Sequence, residues 1–237
     1  MGRRFAALYS GGKDSYLALA LAREADIEVS PMVTVDAPDG SYLYHVPATQ
    51  AAAAAATALD ITHKSLTVDG PITDAGSEVA ARHEIAPVSR WLEGQAVDLD
   101  GLISGVVASR YQYELLEDIC DTFGLELCTP LWGWDGLEVL DAVLERDLAV
   151  DMIAVAADGL DESWLGRRLD ADAVESLSEL AMAHGFHPAG EGGEFETLVV
   201  DAPAFNAPIV YDATSVWEGN RGHLALSSLG LGARPSE

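Results

Sequence analysis

The sequence predicts an α/β fold: a doubly wound, mostly parallel sheet with a smaller C-terminal α+β portion. Three observations predict it. An apolar run at Phe5–Tyr9 breaks into Ser10-Gly11-Gly12-Lys13-Asp14-Ser15 and then into an Ala/Leu-rich stretch with helical spacing, the pattern of a strand, a tight loop and a helix. Extended and helical patterns then alternate as far as Gly185, which argues for parallel strands joined by crossover helices and covered on both faces. The last stretch, with short extended patterns at Ile209–Tyr211 and Gly222–Leu231, is less regular and suits a small antiparallel addition.

Each element has its own signal. Ile27–Val35 (IEVSPMVTV) reads as the second strand, and the Ala-rich Thr49–Leu59 as the next helix, since alanine is the best helix former. Ser77–Leu92 reads as a helix, Gly101–Val107 (GLISGVV) as a buried strand and Tyr111–Phe123 as an amphipathic helix stopped by Gly124. Leu137–Arg146 is helical again, Met152–Ala156 a buried strand, and Asp172–His184 a helix stopped by Gly185. No internal repeat is visible, and no Pro/Gly linker marks a domain boundary.

The segment Ser10–Ser15 carries the first chemical signal. Adjacent glycines let the backbone approach a ligand, and the N–H groups opening the next helix point outward with the positive end of its dipole. Ser10 and Ser15 add hydroxyls, and Lys13, expected on an exposed loop, adds a point charge suited to phosphate. The Walker A pattern fails, because Ala7 stands where its first glycine belongs and Asp14 where its Ser/Thr belongs. Ligands of doubly wound sheets gather past the strand ends. Four more segments lie there: Ser41–His45 (SYLYH), Gly105–Gln112 (GVVASRYQ), Pro130–Asp135 (PLWGWD) and Gly190–Thr197 (GEGGEFET). In the last, Glu191, Glu194 and Glu196 flank Gly192-Gly193 and repel one another unless a cation sits among them. If residues 194–197 are extended, Glu194 and Glu196 share a face. His45 and His63 read as satisfied structural histidines.

Composition bounds the partners. The chain has 237 residues, 39 Asp and Glu against 13 Lys and Arg, and a formal net charge of -26. The acids are spread rather than blocked and only Lys13 and Lys64 are lysines, which reads as a solvated acidic surface suited to high salt. No basic stripe exists to neutralise nucleic-acid phosphates. No apolar run is long enough to span a bilayer and no targeting segment stands out, so the expected setting is the cytoplasm. Cys120 and Cys128, without a CxxC pair, read as two buried thiols of a reducing compartment.

SGGKDS at 10–15, SYLYHVP at 41–47, GVVASRYQ at 105–112, PLWGWD at 130–135 and GEGGEFET at 190–197 together resemble the diphthine-ammonia ligase family, ATP pyrophosphatases with this pyrophosphate loop. The likeness runs from about residue 5 to about residue 212, and the composition suits a haloarchaeal member. It implies a Rossmann-like sheet of the adenine nucleotide alpha hydrolase type, split into a nucleotide-binding part (1–120) and a substrate-side part (121–237). It also implies ATP and Mg2+ as cofactors and, as partners, ammonium and elongation factor 2, whose diphthine carboxylate becomes an amide; the oligomeric state stays open, a homodimer included. Ser10, Gly11, Gly12, Lys13, Asp14, Ser15, Gly105 and Ser109 are the expected ATP-binding residues, with Asp14 also toward magnesium. Tyr42, Tyr44, Tyr111, Gln112, Glu191, Gly192, Gly193, Glu194, Glu196 and Thr197 are the expected substrate side; Lys13, Asp14, Glu194 and Glu196 are the catalytic candidates. The glutamates and the tyrosines at 42 and 44 suit either ammonium or the trimethylammonium group of diphthine. The family often carries an acid at the place of Arg110 and a base at that of Tyr113, and archaeal members a polar Asn and His where Ala48-Thr49-Gln50 stands. Two alternatives stay open: a tRNA-modifying ATP pyrophosphatase, for which a catalytic cysteine or CxxC and a basic extension are missing, and a non-catalytic adenine-nucleotide-binding module.

Overall fold

The computed structural model describes residues 2–36, 51–70, 78–95 and 98–234. Tyr42, Tyr44, His45 and residues 48–50 lie outside the described residues. Five strands, β1 (Arg4–Leu8), β2 (Glu28–Asp36), β3 (His63–Thr67), β4 (Gly101–Ile103) and β5 (Glu126–Cys128), form one sheet in the order β3-β2-β1-β4-β5. Every pairing in it is parallel.

Side-chain alternation along β1 divides the core. Phe5 and Ala7 point into a cluster with α1 (Lys13–Glu24), α2 (Ala52–Ala58) and α5 (Gly136–Glu145). Ala6 points into the other, with α3 (Glu78–Gln95) and α4 (Arg110–Phe123). Both faces of the sheet are therefore covered, as the apolar runs of β1, β2 and β4 demand.

The helix boundaries follow from local chemistry. Ser109 caps α4 by accepting the Gln112 N–H at 3.4 Å, and Gly124 ends it in the left-handed region at φ 67°. Asp135 opens α5 in a reciprocal capping box with Glu138. Asp170 caps α6 (Ala171–His184), which Gly185 ends.

The second sheet corrects one expectation. Met152–Ala156 read like another strand of the parallel sheet, but β6 (Ala149–Val155) pairs antiparallel with β7 (Phe195–Asp201) and β9 (Arg221–Leu231). A buried apolar strand reads the same whichever sheet it joins. With β8 (Ile209–Glu218) the order is β7-β6-β9-β8, so the antiparallel portion is larger than the C-terminal patterns alone implied. The parallel sheet, for its part, takes its last strand from beyond residue 120. One apolar cluster runs without a break from Phe5 on β1 through α1 and α5 to Leu198 and Val199 on β7.

Candidate active site

In a doubly wound sheet a crevice opens where the strand order reverses, past the carboxyl ends of the two strands that part there. Here the chain leaves β1 toward β2 and β3, then returns on its other side as β4. Residues just past both strand ends, including Ser10, Lys13, Ser104 and Gly105, line a cavity of about 160 Å3. Its third wall comes from the C-terminal half, through Gly190, Glu191 and Phe195–Thr197.

The loop after β1 is tied internally. Gly11 stands at φ 97°, where a side chain would be strained. The Ser10 hydroxyl accepts the Gly12 N–H at 3.4 Å and lies 3.2 Å from the Ser15 hydroxyl, which donates to the Gly12 carbonyl at 3.0 Å. The first helical bond runs from Tyr16 N–H to the Gly12 carbonyl, and Gly12 offers no side-chain cap. Lys13 N–H is taken by the Thr197 hydroxyl at 3.1 Å. The N–H groups of Asp14 and Ser15 have no acceptor among the described residues, which leaves the positive end of α1 facing the cavity. Gly105 allows the β4 loop to abut this turn, since a Cβ there would fall 2.6–2.7 Å from the backbone of Asp14 and Ser15.

Lys13 departs from the exposed loop lysine that was expected. It opens α1 and is 2% exposed. Its Nζ donates to the Ala189 carbonyl at 2.5 Å and to Asp14 Oδ2 at 2.9 Å, and sits 5.3 Å from the centroid of the Phe195 ring. Ala189 is 176 positions away along the chain, so no local pattern could reveal this burial. Asp14 Oδ1 is buried and has no hydrogen-bond partner among the described residues.

The three glutamates do not converge as a unit. Among the described residues no group of three or more His, Cys, Asp or Glu side chains is arranged to hold a metal. The Glu194 carboxylate turns back on its own loop, where it accepts the His187 N–H at 3.0 Å and the Gly192 N–H at 2.7 Å. Backbone donors answer its charge. It precedes β7, whereas Glu196 lies within β7 and lines the cavity. Glu191 also lines the cavity, and its Oε2 accepts the Ala108 N–H at 3.3 Å. Burial pushes the Glu191 carboxyl above its ordinary range and the Asp14 carboxylate adds to this, while Lys13, the Ala108 N–H and His187 pull the other way.

The remaining candidates divide. Gln112 and Thr197 line the cavity; Tyr111, Ser109, Gly192 and Gly193 are not part of its described wall. Ser109 is the α4 cap described above. Arg110 pairs with Glu114 at 3.5 Å on the α4 surface, and Tyr113 packs on Trp132 with ring centroids 4.5 Å apart. His63 reads as structural: its Nε2 is 3.1 Å from the Thr34 hydroxyl, which donates to the Tyr9 carbonyl, and burial lowers its pKa. Cys120 is buried, with its thiol pushed up to about 12 by that burial, and Cys128 is half-buried; both are free. The wall that sequence reasoning missed is apolar, made by Leu8, Ile85, Val106, Leu115 and Leu116. Its one signal was the apolar face of α4, which reads equally as core.

Comparison with known proteins follows this division of the cavity. The profile of the diphthamide synthase N-terminal domain matches residues 3–127, and that of the diphthamide synthase C-terminal domain matches residues 135–229. The diphthine–ammonia ligase of Bos taurus is 31% identical over 235 aligned residues, covering 90% of this chain and 84% of the relative. That of Danio rerio is 31% identical over 229, covering 89% and 87%. The chain belongs to the diphthamide synthase family. A solved structure, the predicted subunit of tRNA methyltransferase from Methanocaldococcus jannaschii, aligns at 18% identity and a TM-score of 0.47 over 85% of this chain and 98% of that one, a likeness too low to bear on function. The two diphthamide synthase regions meet at the cavity: the first supplies Ser10, Gly12, Lys13, Asp14, Ser15 and Gly105, the second Glu191, Glu196 and Thr197, while Gly11 is not part of the described wall. No helix among the described residues is long and apolar enough to cross a membrane.

Proposed function

We propose that this chain converts the diphthine carboxylate of elongation factor 2 to its amide, using ATP and ammonium and releasing AMP and pyrophosphate. The observation that carries this reading is the shared cavity. On one side lie the open Asp14 and Ser15 amides beside Lys13, and on the other the carboxylates of Glu191 and Glu196. An anion-binding helix start faced by carboxylates suits a reaction that brings together a polyphosphate and the cation ammonium, the source of the ammonia nucleophile.

The chemistry follows from the poor reactivity of a carboxylate toward amines. Its oxygen attacks the α-phosphorus of ATP, the bond to the β-phosphate oxygen breaks, and pyrophosphate departs. The resulting acyl-adenylate has a good leaving group: ammonium gives up a proton to solvent, ammonia attacks the acyl carbon, AMP leaves and the amide nitrogen loses a second proton. Backbone N–H groups at the start of α1 and the Lys13 ammonium would stabilise the charge on the departing pyrophosphate. The apolar wall from Leu8 to Leu116 suits a purine ring. Magnesium fits Asp14, whose buried Oδ1 lacks a partner among the described residues: together with phosphate oxygens it would hold the ion, which would neutralise developing phosphate charge. Glu191 and Glu196 face the side where a cationic group is wanted.

The test is reconstitution with diphthine-bearing elongation factor 2. AMP and pyrophosphate should form in equal amounts, with ammonium and the factor both required, and mass analysis should show OH replaced by NH2 at the modified histidine. AMP formation that ignores either ammonium or the factor refutes the reading.

A further inference from the structure

We infer that Thr197 is a positioning residue for the nucleotide loop: its hydroxyl, carried by β7, accepts the Lys13 N–H and sets the first turn of α1 so that the next two amides face the phosphates. This rests on the reading above only in taking residues 10–15 as a phosphate site. The resemblance implied a substrate contact for Thr197; its hydroxyl also bonds the loop. Thr197 is 5% exposed, and its Oγ1 lies 3.1 Å from the Lys13 nitrogen.

Three neighbouring contacts make this more than a chance bond. Two residues farther along β7, Val199 N–H donates to the Gly11 carbonyl at 3.0 Å, so strand and loop are joined at successive points. Phe195, on the same strand face as Thr197 by the two-residue period, lies beneath the Lys13 ammonium. At Gly12 a Cβ would touch the carbonyl and the hydroxyl oxygens of Thr197 at 3.4 Å each, so the loop rests directly on this residue. An α-helix opens with four N–H groups that lack helical partners. Here the Ser10 hydroxyl takes that of Gly12 and the Thr197 hydroxyl that of Lys13, which reserves the amides of Asp14 and Ser15 for an anion. The residue that selects which amides stay open thus comes from the second sheet.

The experiment uses the full chain without protein substrate and measures binding of ATP, pyrophosphate and adenosine by calorimetry, alongside melting temperature. Thr197→Val keeps the shape and removes the acceptor; Thr197→Ser keeps the acceptor. Thr197→Val should bind ATP and pyrophosphate about tenfold more weakly, the scale of one unsatisfied amide. Adenosine, which lacks phosphates, should bind as to the wild type, and Thr197→Ser should stay within about threefold of wild type for all three ligands. Wild-type phosphate affinity in Thr197→Val, an equal loss in Thr197→Ser, or adenosine affinity falling in step would each overturn the inference. A wild-type chain that binds neither ATP nor pyrophosphate would overturn the functional reading itself, a distinguishable outcome.

Discussion

Replacing Lys13 by methionine tests the site where burial and chemistry meet. Methionine keeps a flexible apolar stem of similar length but removes the charge and every donor. The Ala189 carbonyl then loses its 2.5 Å partner, and Asp14 loses the 2.9 Å ion pair that offsets its nearness to Glu191. Leaving a buried acceptor unpaired costs about 1–3 kcal/mol. Taking about 2 kcal/mol, a chain of this size should melt about 4–8 °C lower. On the proposed role of its charge at the departing pyrophosphate, the loss of turnover should be far larger, about 100- to 1,000-fold by analogy with removal of one oxyanion donor. The assay pairs a thermal melt with pyrophosphate release at saturating ATP. Turnover within a few fold of wild type would refute a role in phosphate chemistry; an unchanged melting temperature would refute the argument from burial.

Three further outcomes are expected. Glu191→Gln should be more stable than wild type at neutral pH: an acid raised in the folded state is destabilising once ionised, so the difference grows as pH rises past the ordinary carboxylate value, levels off above the raised value and vanishes in acid. Melting curves from pH 4 to pH 8 that run parallel would count against this. Glu194→Gln should lower the melting temperature, since the Glu194 carboxylate accepts two backbone N–H groups and a glutamine nitrogen would oppose one of them at a cost of about 1–3 kcal/mol; an unchanged melt would contradict it. With a formal charge of -26, the melting temperature should rise with KCl as screening shortens to roughly 3 Å at 1 M, and a flat or falling curve would mean that the acidic surface is no adaptation to salt.

Local signals proved readable and distant pairings did not. The strand, glycine turn and helix from Arg4 to Glu24 were legible because each depends on residues close in sequence. So were the stops at Gly124 and Gly185, which adopt the left-handed conformation. The three-residue strands β4 and β5 are too short for a period-two pattern, and β4 ends early because Gly105 must turn against α1. At the site, sequence pointed to residues 10–15 and 190–197 but could not say which side chains serve the loop and which face the cavity. Glu194 and Glu196 look alike in a motif; one holds its own turn and the other stands on a strand. Ser109, expected at the nucleotide, caps α4, and helix caps and phosphate ligands use the same hydroxyl chemistry.

The bonds from Thr197 and Val199 to the loop after β1 also govern when the protein becomes competent. Lys13 and Thr197 are 184 positions apart, so the Ser10–Ser15 turn can close onto its partner only after most of the chain has left the ribosome. Until β7 is made and docked, Lys13 has neither Phe195 beneath it nor the Ala189 carbonyl to hold it. A growing or truncated polypeptide therefore carries the full SGGKDS motif without the geometry to use it. The set geometry of that turn is withheld from fragments by the order of synthesis alone.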